Sequence, residues 1–353
     1  MTVLKLGSLF DGIGVFPLAA MHCGMEPVWA SEIEARPISI TRRHFPDMLH
    51  LGDITKISGA EIPPVDVITF GSPCQDLSQI GTRNGFAGKK SSLFYQALRI
   101  VEEMRYATNG RYPAFCIWEN VAGAFSSNDR LDFAAMLSAF TGAEVSVPPR
   151  GWAHAGMVRG GCADTAWRLL DAQYWGEPVL VQRRKRVFVV ADFAGQRAGE
   201  VLFKPRTVLP FSAIGGPGGL SATAGSGVPA AQTGRQVPIV RPFSLRRMRT
   251  MAQVGDQKGF CASFGRGGEP FPTLLASVTA PFSFWYEGEE RDGFLRALTP
   301  LECERLMGLP ENWTKYGCKN EEISDHARYR ALGNSIALPC AEYVMAGIAE
   351  VMN

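Results

Sequence analysis

Short apolar runs alternate with segments of helical periodicity over the first 195 residues, and this alternation limits the fold more than any other feature. Five runs have the composition of buried strands: 3–9, 28–31, 65–70, 115–118 and 186–191. Three segments between them have helical periodicity: 15–23, 92–104 and 131–140. Because strands that alternate with helices form parallel sheets, we predict an α/β fold with a doubly wound, mostly parallel sheet.

The sequence changes character after about residue 200. Residues 214–234 are rich in Gly, Ala and Ser, as expected of a loop, and short β-like runs follow at 272–278 and 282–286. Helical periodicity returns near residue 298, with an N-cap signature at residues 299–302. We therefore predict a large α/β domain of residues 1–198 and 296–353, and a smaller, mostly β domain of residues 199–295.

Charge is distributed unevenly along the chain. The net charge is +2, but residues 181–249 hold 12 Lys and Arg against 2 Asp and Glu. This basic segment lies in an otherwise acidic chain, which favours a polyanion as partner. A solvated basic face would have the same composition and stays open at this point.

The cysteines and the apolar runs bear on metal binding and on the compartment. The eight cysteines form no CxxC pair and no Cys/His cluster with zinc spacing. We expect reduced thiols, most of them buried, and no metal site. The N-terminus lacks the features of a signal peptide, and no apolar run reaches the roughly 20 residues that cross a bilayer. These features predict a cytoplasmic protein without a membrane partner.

Residues of chemical interest follow the predicted strands. Ligands of parallel sheets bind beyond the C-terminal strand ends, and Gly12, Glu32, Cys74 and Glu119 all lie there. The Gly12-x-Gly14 turn lets the backbone approach a nucleotide-like ligand, although it also suits a tight structural turn. Glu32 could accept hydrogen bonds from ribose hydroxyls or be a surface carboxylate.

Cys74, Glu119 and the arginines before residue 187 are candidates for catalysis. Pro73 stiffens the loop at Cys74, where a thiol can be exposed and activated, although a buried inert thiol is the common alternative. A partly desolvated Glu119 can be held protonated near neutral pH. Arg184 and Arg186 precede a buried strand, so at least one should face the crevice unless this is a solvated basic turn.

Nine ordered blocks together resemble the motifs of the cytosine-C5 DNA methyltransferases. The blocks are Phe10-x-Gly12-x-Gly14, Glu32, Gly52-Asp53-Ile54, Gly71-Ser72-Pro73-Cys74-Gln75, Ser92-Leu93-Phe94, Glu119-Asn120-Val121, Gln182-x-Arg184-x-Arg186, Arg296-x-Leu298-Thr299-Pro300-x-Glu302 and Gly333-Asn334-Ser335. Val181 departs from the pattern, because the family commonly has proline there.

The resemblance implies a Rossmann-like methyltransferase fold, the cofactor S-adenosylmethionine and a target-recognition domain. Cys74 would be the nucleophile, Glu119 and Arg186 would hold the target base, and Arg184 would support the loop. The implied cofactor pocket is formed by Phe10, Gly12, Gly14, Glu32, Ile33, Asp53, Ile54, Pro73, Leu93, Asn334 and Ser335. In it, Glu32 would hold the ribose and Asp53 the adenine amino group. The expected DNA contacts are Ser78, Gln79, Ile80, Arg241, Arg246, Arg247, Arg249 and Thr273.

The implied activity is methyl transfer to C5 of a flipped-out cytosine in duplex DNA, through a covalent bond between Cys74 and C6. Double-stranded DNA is the expected partner, a monomer is expected, and a cognate restriction endonuclease is compatible with this activity. Three alternatives are a tRNA cytosine methyltransferase, a catalytically silent DNA-binding module of the same fold and a nicotinamide-dependent oxidoreductase. Intact Cys74, Glu119 and Arg186 argue against the silent module, and the lack of a GxGxxG pattern argues against the oxidoreductase.

Overall fold

The structure is a computed structural model that describes residues 3–72, 93–204, 239–243, 270–271, 273–274, 282–286 and 294–353. Within these residues, eight strands form one large sheet: β1 Lys5–Leu9, β2 Glu26–Ser31, β3 Leu49–His50, β4 Val67–Phe70, β5 Phe115–Val121, β6 Ala155–Arg159, β7 Asp164–Asp171 and β8 Lys185–Asp192. Their order across the sheet is β3-β2-β1-β4-β5-β8-β7-β6.

The strand order creates a switch point between β1 and β4. Strands β1 to β5 are parallel to one another, and the chain runs outward from β1 to β3 before it returns to β4. Ligands of such sheets bind in the crevice beyond the strand ends at this point. The predicted doubly wound, mostly parallel sheet is therefore confirmed, and its crevice lies where β1 and β4 end.

Eight α-helices are described: α1 Val15–His22, α2 Ala35–His44, α3 Leu93–Ala107, α4 Leu131–Thr141, α5 Ala198–Leu202, α6 Pro300–Leu306, α7 Asp325–Asn334 and α8 Leu338–Met352. They cover both faces of the sheet. Alternate residues of β5 show the two layers, since Phe115 and Ile117 pack with α1 and α8, whereas Cys116 and Trp118 pack with α3 and α4. Burial on both faces explains why these strands read as continuous apolar runs.

Five strands of the large sheet depart from the sequence prediction. Strands β3, β6 and β7 were not predicted, and β8 is antiparallel to β5 and to β7. Strand β6 is an edge strand whose exposed and half-buried residues alternate, so it carries no apolar run to indicate it. Strand β5 also continues beyond the predicted residues 115–118, because Glu119 and Asn120 do not resemble strand residues by composition.

The C-terminal helices complete the core of the large sheet. Helix α6 begins with a capping box in which the Thr299 side chain accepts from Glu302 N and the Glu302 carboxylate accepts from Thr299 N. The predicted N-cap is thereby confirmed. Helix α8 packs on α1, so residues from both ends of the chain share one hydrophobic cluster.

A separate antiparallel sheet of β9 Ile239–Phe243, β10 Phe282–Tyr286 and β11 Phe294–Ala297, in the order β11-β10-β9, lies mostly within the predicted smaller domain, and β11 extends past its predicted end at residue 295. The predicted strand at 282–286 is confirmed. Phe271 forms an isolated parallel β-bridge with Gln182. Phe271 and Leu274 are both buried in the hydrophobic cluster beside α8. The β-like run at 272–278 is described only at residues 273–274. Helix α5, at the predicted boundary, packs on β7 and α8, and the exact division into domains stays a prediction.

The described cysteines are free thiols. Cys116, Cys303 and Cys340 are buried as expected, whereas Cys162 and Cys318 are exposed, contrary to the general expectation of burial. Among the described residues no group of His, Cys, Asp and Glu could hold a metal ion. In the same residues no single helix is long and apolar enough to cross a membrane. Helices α7 and α8, with a bend of 43° between them, reach that length and composition only when taken together.

Candidate active site

The turn after β1 faces open space at the sheet crevice. Phe10, Gly12 and Gly14 have φ values of 53°, 59° and 79°, a left-handed conformation that glycine adopts without strain. A Cβ added at Gly12 would meet no described atom within 4 Å, whereas one added at Gly14 would press on Phe45 and Thr41. The turn is therefore closed on the side of α2 and open on the side of the crevice at Gly12.

Glu32 ties the ends of β1 and β2 together. Its Oε2 accepts from Gly12 N at 2.9 Å, and its Oε1 accepts from the backbone N–H groups of Ile33 and Glu34 at 2.7 and 3.0 Å. These bonds fix the carboxylate at the mouth of the crevice. Beside it, the Ile33 side chain is 72% exposed.

Asp53 caps the short 3-10 turn Ile54–Lys56 that follows β3. Its Oδ1 accepts from Thr55 N at 3.0 Å and from Thr55 Oγ1 at 2.8 Å, and these bonds lower the pKa of the carboxyl. Gly52, with φ of 75°, faces open space in the same way as Gly12 among the described residues. Ile54 is buried beneath the turn, and Ser31 Oγ donates to Gly52 O at 2.7 Å, which holds the turn against β2.

Asp11, inside the glycine turn, is a site residue that the sequence reasoning missed. Thr41 Oγ1 lies 3.3 Å from Asp11 Oδ2, while Oδ1 is buried without a hydrogen-bond partner among the described residues. Burial, with the neighbouring Glu32 charge, raises the pKa of Asp11 to about 7. An ionisable residue between Phe10 and Gly12 was the available signal.

Glu119 and Arg186 face each other across adjacent strands. Arg186 Nε lies 3.0 Å from Glu119 Oε1, and both side chains are mostly buried. Burial raises the pKa of Glu119, and the positive charges of Arg186 and Arg184 oppose that rise. Glu119 Oε1 has no hydrogen-bond partner among the described residues, so the contact with Arg186 is a close ion pair without hydrogen-bond alignment.

The end of β4 is fixed beside Glu119. Trp118 Nε1 donates to Ser72 Oγ at 3.1 Å, and Asn120 Nδ2 donates to Ser72 O at 3.0 Å. Gly71 packs on the Glu119 carboxyl, since a Cβ there would lie 3.2 Å from Oε2. Pro73 and Cys74 lie outside the described residues.

Arg184 joins three segments from the interior. Its guanidinium donates to Leu274 O and Gly333 O, each at 2.9 Å, and to Ser335 O. The side chain is 1% exposed, and burial lowers its pKa. Arg184 thus supports the loop between α7 and α8 and does not line the Glu119–Arg186 contact directly.

The remaining predicted site residues are placed as follows. Phe10 and Leu93 are half-buried against the cluster under α3, and Asn334 and Ser335 end α7, where Ser335 O accepts from Arg184. Thr273 Oγ1 donates to Arg183 O at 2.6 Å, and Arg241 lies in β9. Seven predicted residues besides Pro73 lie outside the described residues: Cys74, Ser78, Gln79, Ile80, Arg246, Arg247 and Arg249.

Comparison with known proteins gives a family for this arrangement. The model of the C-5 cytosine-specific DNA methylases matches residues 4–203 and 246–350. A protein of Escherichia phage P1 named DNA N-6-adenine-methyltransferase is 24% identical, and the match covers 98% of this chain and 61% of the phage protein. The Lactococcus lactis Type II methyltransferase M1.ScrFI is 26% identical over 99% of this chain and 78% of its own.

The fold is also that of solved methyltransferases. The structure of the Schizosaccharomyces pombe Dnmt2 methyltransferase superposes with a TM-score of 0.58, at 16% identity, and covers 100% of both chains. The match to the family model includes the glycine turn, Glu119 and Arg186 on one side of the smaller domain and α6 to α8 on the other. The chain therefore belongs to the C-5 cytosine-specific DNA methylase family.

Proposed function

We propose that this chain transfers a methyl group from S-adenosylmethionine to C5 of a cytosine in duplex DNA, through a covalent bond between Cys74 and C6. The observation that carries the proposal is the placement of a buried Glu119 carboxyl, paired with Arg186 and with no hydrogen bond to Oε1 from any described residue, beside the fixed end of β4. The Pro73–Cys74 pair follows that end by sequence. A general acid, an electrostatic partner and a nucleophile then come together in one crevice.

The described residues fit S-adenosylmethionine at the ends of β1, β2 and β3. No described atom would lie within 4 Å of a Cβ at Gly12 or Gly52, the Glu32 carboxylate is fixed there for the ribose hydroxyls, and Asp53 could accept from the adenine amino group. The exposed Ile33 would gain an apolar partner in the adenine ring. The proposed lining also includes Phe10, Gly14, Ile54, Pro73, Leu93, Asn334 and Ser335. When bound, this cofactor supplies an electrophilic methyl group on a sulfonium.

The nucleophile is needed because C5 of cytosine is a weak nucleophile by itself. Addition of the Cys74 thiolate to C6 would make C5 electron-rich, so that C5 could bond to the methyl carbon as the bond from that carbon to the sulfonium sulfur breaks and the thioether product leaves. Transfer of the C5 proton to a base, a role that water can fill, would then allow the C6–S bond to break, and Cys74 would leave as thiolate. This sequence of steps returns the enzyme to its starting state.

Glu119 and Arg186 would stabilise the charge that develops on the ring. A protonated Glu119 donates to N3 while the thiolate adds, and it recovers the proton when Cys74 leaves. Arg186 would hold O2. Burial favours the neutral form of Glu119, which is the form that can donate. Arg184 acts on this site through the backbone segments that it joins.

The target base must leave the helix to reach this crevice, since C5 and C6 are stacked inside duplex DNA. We propose that Ser78, Gln79 and Ile80 help to fill the gap and that the smaller domain of residues 199–295 faces the major groove. Arg241, Arg246, Arg247, Arg249 and Thr273 are the proposed contacts. Thr273 lies two residues after Phe271, which pairs with Gln182, and its hydroxyl donates to Arg183 O, close in sequence to Arg186.

The test is covalent trapping by duplex DNA with 5-fluorocytosine at the target position. Fluorine cannot leave as the C5 proton does, so wild-type protein should form a denaturation-resistant adduct when S-adenosylmethionine is present. Cys74→Ser should form none, and Cys162→Ser, a change at an exposed thiol, should trap as wild type does. An adduct that persists in Cys74→Ser would remove Cys74 from the mechanism.

Methylation of the adenine amino group is a second candidate, because the phage P1 relative is named for that reaction. An amino nitrogen can attack the methyl group directly and requires neither a thiol adduct nor a protonated carboxyl. Analysis of nucleosides from methylated DNA separates the two, since our proposal yields 5-methylcytosine and the alternative yields N6-methyladenine. Competition between duplex DNA and tRNA in the same assay tests the tRNA alternative.

Partners and location follow from this substrate. The name Type II methyltransferase carried by a relative supports the proposal of a cognate restriction endonuclease, which should cut unmethylated but not methylated target DNA. A cytoplasmic monomer is proposed, since one chain contains all the motifs and the DNA of a bacterial or phage-infected cell lies in the cytoplasm.

A further inference from the structure

Trp313 makes a direct contact with the glycine turn from the opposite end of the sequence. Its Nε1 donates to the carbonyl oxygen of Ile13 at 2.8 Å, and Trp313 and Ile13 are 5% and 1% exposed. Ile13 lies between Gly12 and Gly14, the two glycines of the turn with left-handed backbone. The indole therefore holds the carbonyl of the Ile13–Gly14 peptide, one of the two peptide units that join these glycines.

A buried carboxylate holds Trp313 from both sides. Glu304 of α6 accepts from the backbone N–H groups of Asn312 and Thr314 at 2.8 and 2.9 Å, and these are the two neighbours of Trp313. Glu304 is fully buried, and Arg328 Nη2 of α7 donates to it at 3.0 Å. The segment around Trp313 is thus fixed by a paired, fully hydrogen-bonded charge in the interior.

The last residue of helix α2, His44, stacks on the indole ring of Trp313. The His44 ring stacks on Trp313 with centroids 3.6 Å apart and planes 5° apart, and His44 Nε2 donates to Trp313 O at 2.8 Å. Burial lowers the pKa of His44, which favours the neutral form of the ring in this contact, and the bond to Trp313 O opposes that shift. Phe45, against which Gly14 packs, approaches Trp313 edge-on at 6.1 Å.

The contacts continue from the turn to the carboxylate that we assign to the ribose. Trp313 fixes the carbonyl of Ile13, and the preceding residue, Gly12, donates its N–H to Glu32 Oε2. A rotation of the Gly12–Gly14 turn would move that N–H and release the carboxylate. Left-handed glycines rotate at little steric cost, so the turn needs an external support to keep one conformation.

We propose that Trp313 is a positioning residue for the cofactor site, which holds the glycine turn in its binding conformation without touching the ligand. This inference rests on the proposed function, since it takes the turn and Glu32 as part of the S-adenosylmethionine pocket. It follows that Glu304, Trp313 and Arg328, which lie outside the proposed lining of the pocket, contribute to the affinity for the cofactor and not to the rate of the chemical step.

The test compares Trp313→Phe with Trp167→Phe. Both changes remove an indole donor from a loop carbonyl, because Trp167 Nε1 donates to Ala153 O at 3.0 Å and is similarly buried at 6% exposed. Calorimetric titration with S-adenosylmethionine should show about 3- to 10-fold weaker binding by Trp313→Phe, as expected for one lost hydrogen bond, and unchanged binding by Trp167→Phe. The kcat of Trp313→Phe at saturating cofactor and its Kd for duplex DNA should stay within about twofold of wild type.

His44→Phe provides a second variant that keeps the stacked ring and removes only the bond to Trp313 O. It should also weaken cofactor binding, by a smaller factor than Trp313→Phe does. It provides an independent measurement if Trp313→Phe fails to fold. Cofactor affinity at the wild-type value in His44→Phe and in any folded Trp313→Phe protein would overturn the inference. A wild-type protein that does not bind S-adenosylmethionine would instead contradict the proposed function, so the two failures are distinguishable.

Discussion

Glu119 is subject to opposing electrostatic effects at the centre of the candidate site. Burial raises the pKa of its carboxyl, and Arg186 at 3.0 Å opposes that rise. A carboxyl that must donate to the base and then accept the proton back needs this intermediate position, since a stronger acid would not hold the proton and a weaker one would not release it.

The pH dependence of turnover should therefore report Glu119. The active form is protonated, so kcat should fall as pH rises through the raised pKa of this group. Glu119→Gln should bind DNA, turn over roughly 10²-fold more slowly and lose that alkaline decline, because an amide has no proton to give N3. Rates measured between pH 5 and 9 provide the check. Glu102→Gln, at an exposed position of α3, is the control, and wild-type turnover in Glu119→Gln would exclude the role.

The raised pKa of Asp11 leads to a prediction about the pH dependence of the free energy of unfolding, which is independent of catalysis. Its pKa is raised to about 7, so between about pH 4 and pH 7 the unfolded chain loses a proton that the folded chain keeps. Folded-state stability contributed by this group is present at low pH and is lost as pH rises. Asp11→Asn should gain stability relative to wild type by on the order of 1 kcal/mol per pH unit over this window and no more above it.

Chemical unfolding at pH 4.5, 6 and 7.5 measures the effect, with Asp47→Asn at an exposed position as the control. A constant difference between Asp11→Asn and wild type across these pH values would contradict the shifted pKa. The sequence indicated Phe10 and Gly12 as a ligand turn but not the state of Asp11, because the pKa depends on enclosure by α2 and on Glu32, which are distant in the sequence.

At the scale of elements, the strand ends are joined by side chains that the motif pattern only partly indicates. The apolar runs predicted β1, β4 and β8, since burial on both faces demands them. They could not predict that Trp118 and Asn120 fix Ser72, because that contact depends on the neighbouring placement of β4 and β5. Strand β6 was missed for the opposite reason, as an edge strand with no apolar run.

Arg184 offers the test at this scale, because it joins the start of β8 to Leu274 and to the α7–α8 loop. Arg184→Met should lower the free energy of unfolding by about 2–5 kcal/mol, since buried carbonyl oxygens lose their donor. Arg183→Met, at the adjacent exposed position, should change it by less than about 0.5 kcal/mol. Equal stabilities of the two variants would show that Arg184 does not join these segments.

At the scale of the whole molecule, one core is built from both ends of the chain, and the segment between them carries the basic residues. Chemistry at cytosine is the same whatever the flanking bases, so sequence choice has to come from outside the catalytic crevice. The ordered motifs indicated the catalytic core from sequence. The target sequence could not be predicted in this way, since it depends on which arginines meet base edges and which meet phosphates.

Exchange of residues 199–295 for the corresponding segment of a relative with another target should transfer its specificity. The chimera should methylate the relative's sequence, and bisulfite sequencing of DNA from expressing cells gives the measurement. An active chimera that keeps the original target would place recognition elsewhere.

Loss of one phosphate contact, tested by single Arg→Gln changes at 241, 246, 247 and 249, should reduce the salt dependence of binding by about one counterion. Loss of a guanine contact should cost about 1–3 kcal/mol of binding free energy and relax the sequence specificity at one base pair of the target.

The packing of α8 on α1 also sets an order of events during synthesis. Leu18 and Ala19 of the first helix share a cluster with Tyr343, Val344 and Ile348 of the last, so the ribosome makes one half of this core near the beginning and the other near the end. A nascent chain that stops within the smaller domain leaves that half exposed to chaperones and proteases. Incomplete translation should therefore give degraded fragments and no active methylase of relaxed specificity. Off-target methylation of the genome by such fragments is thereby avoided.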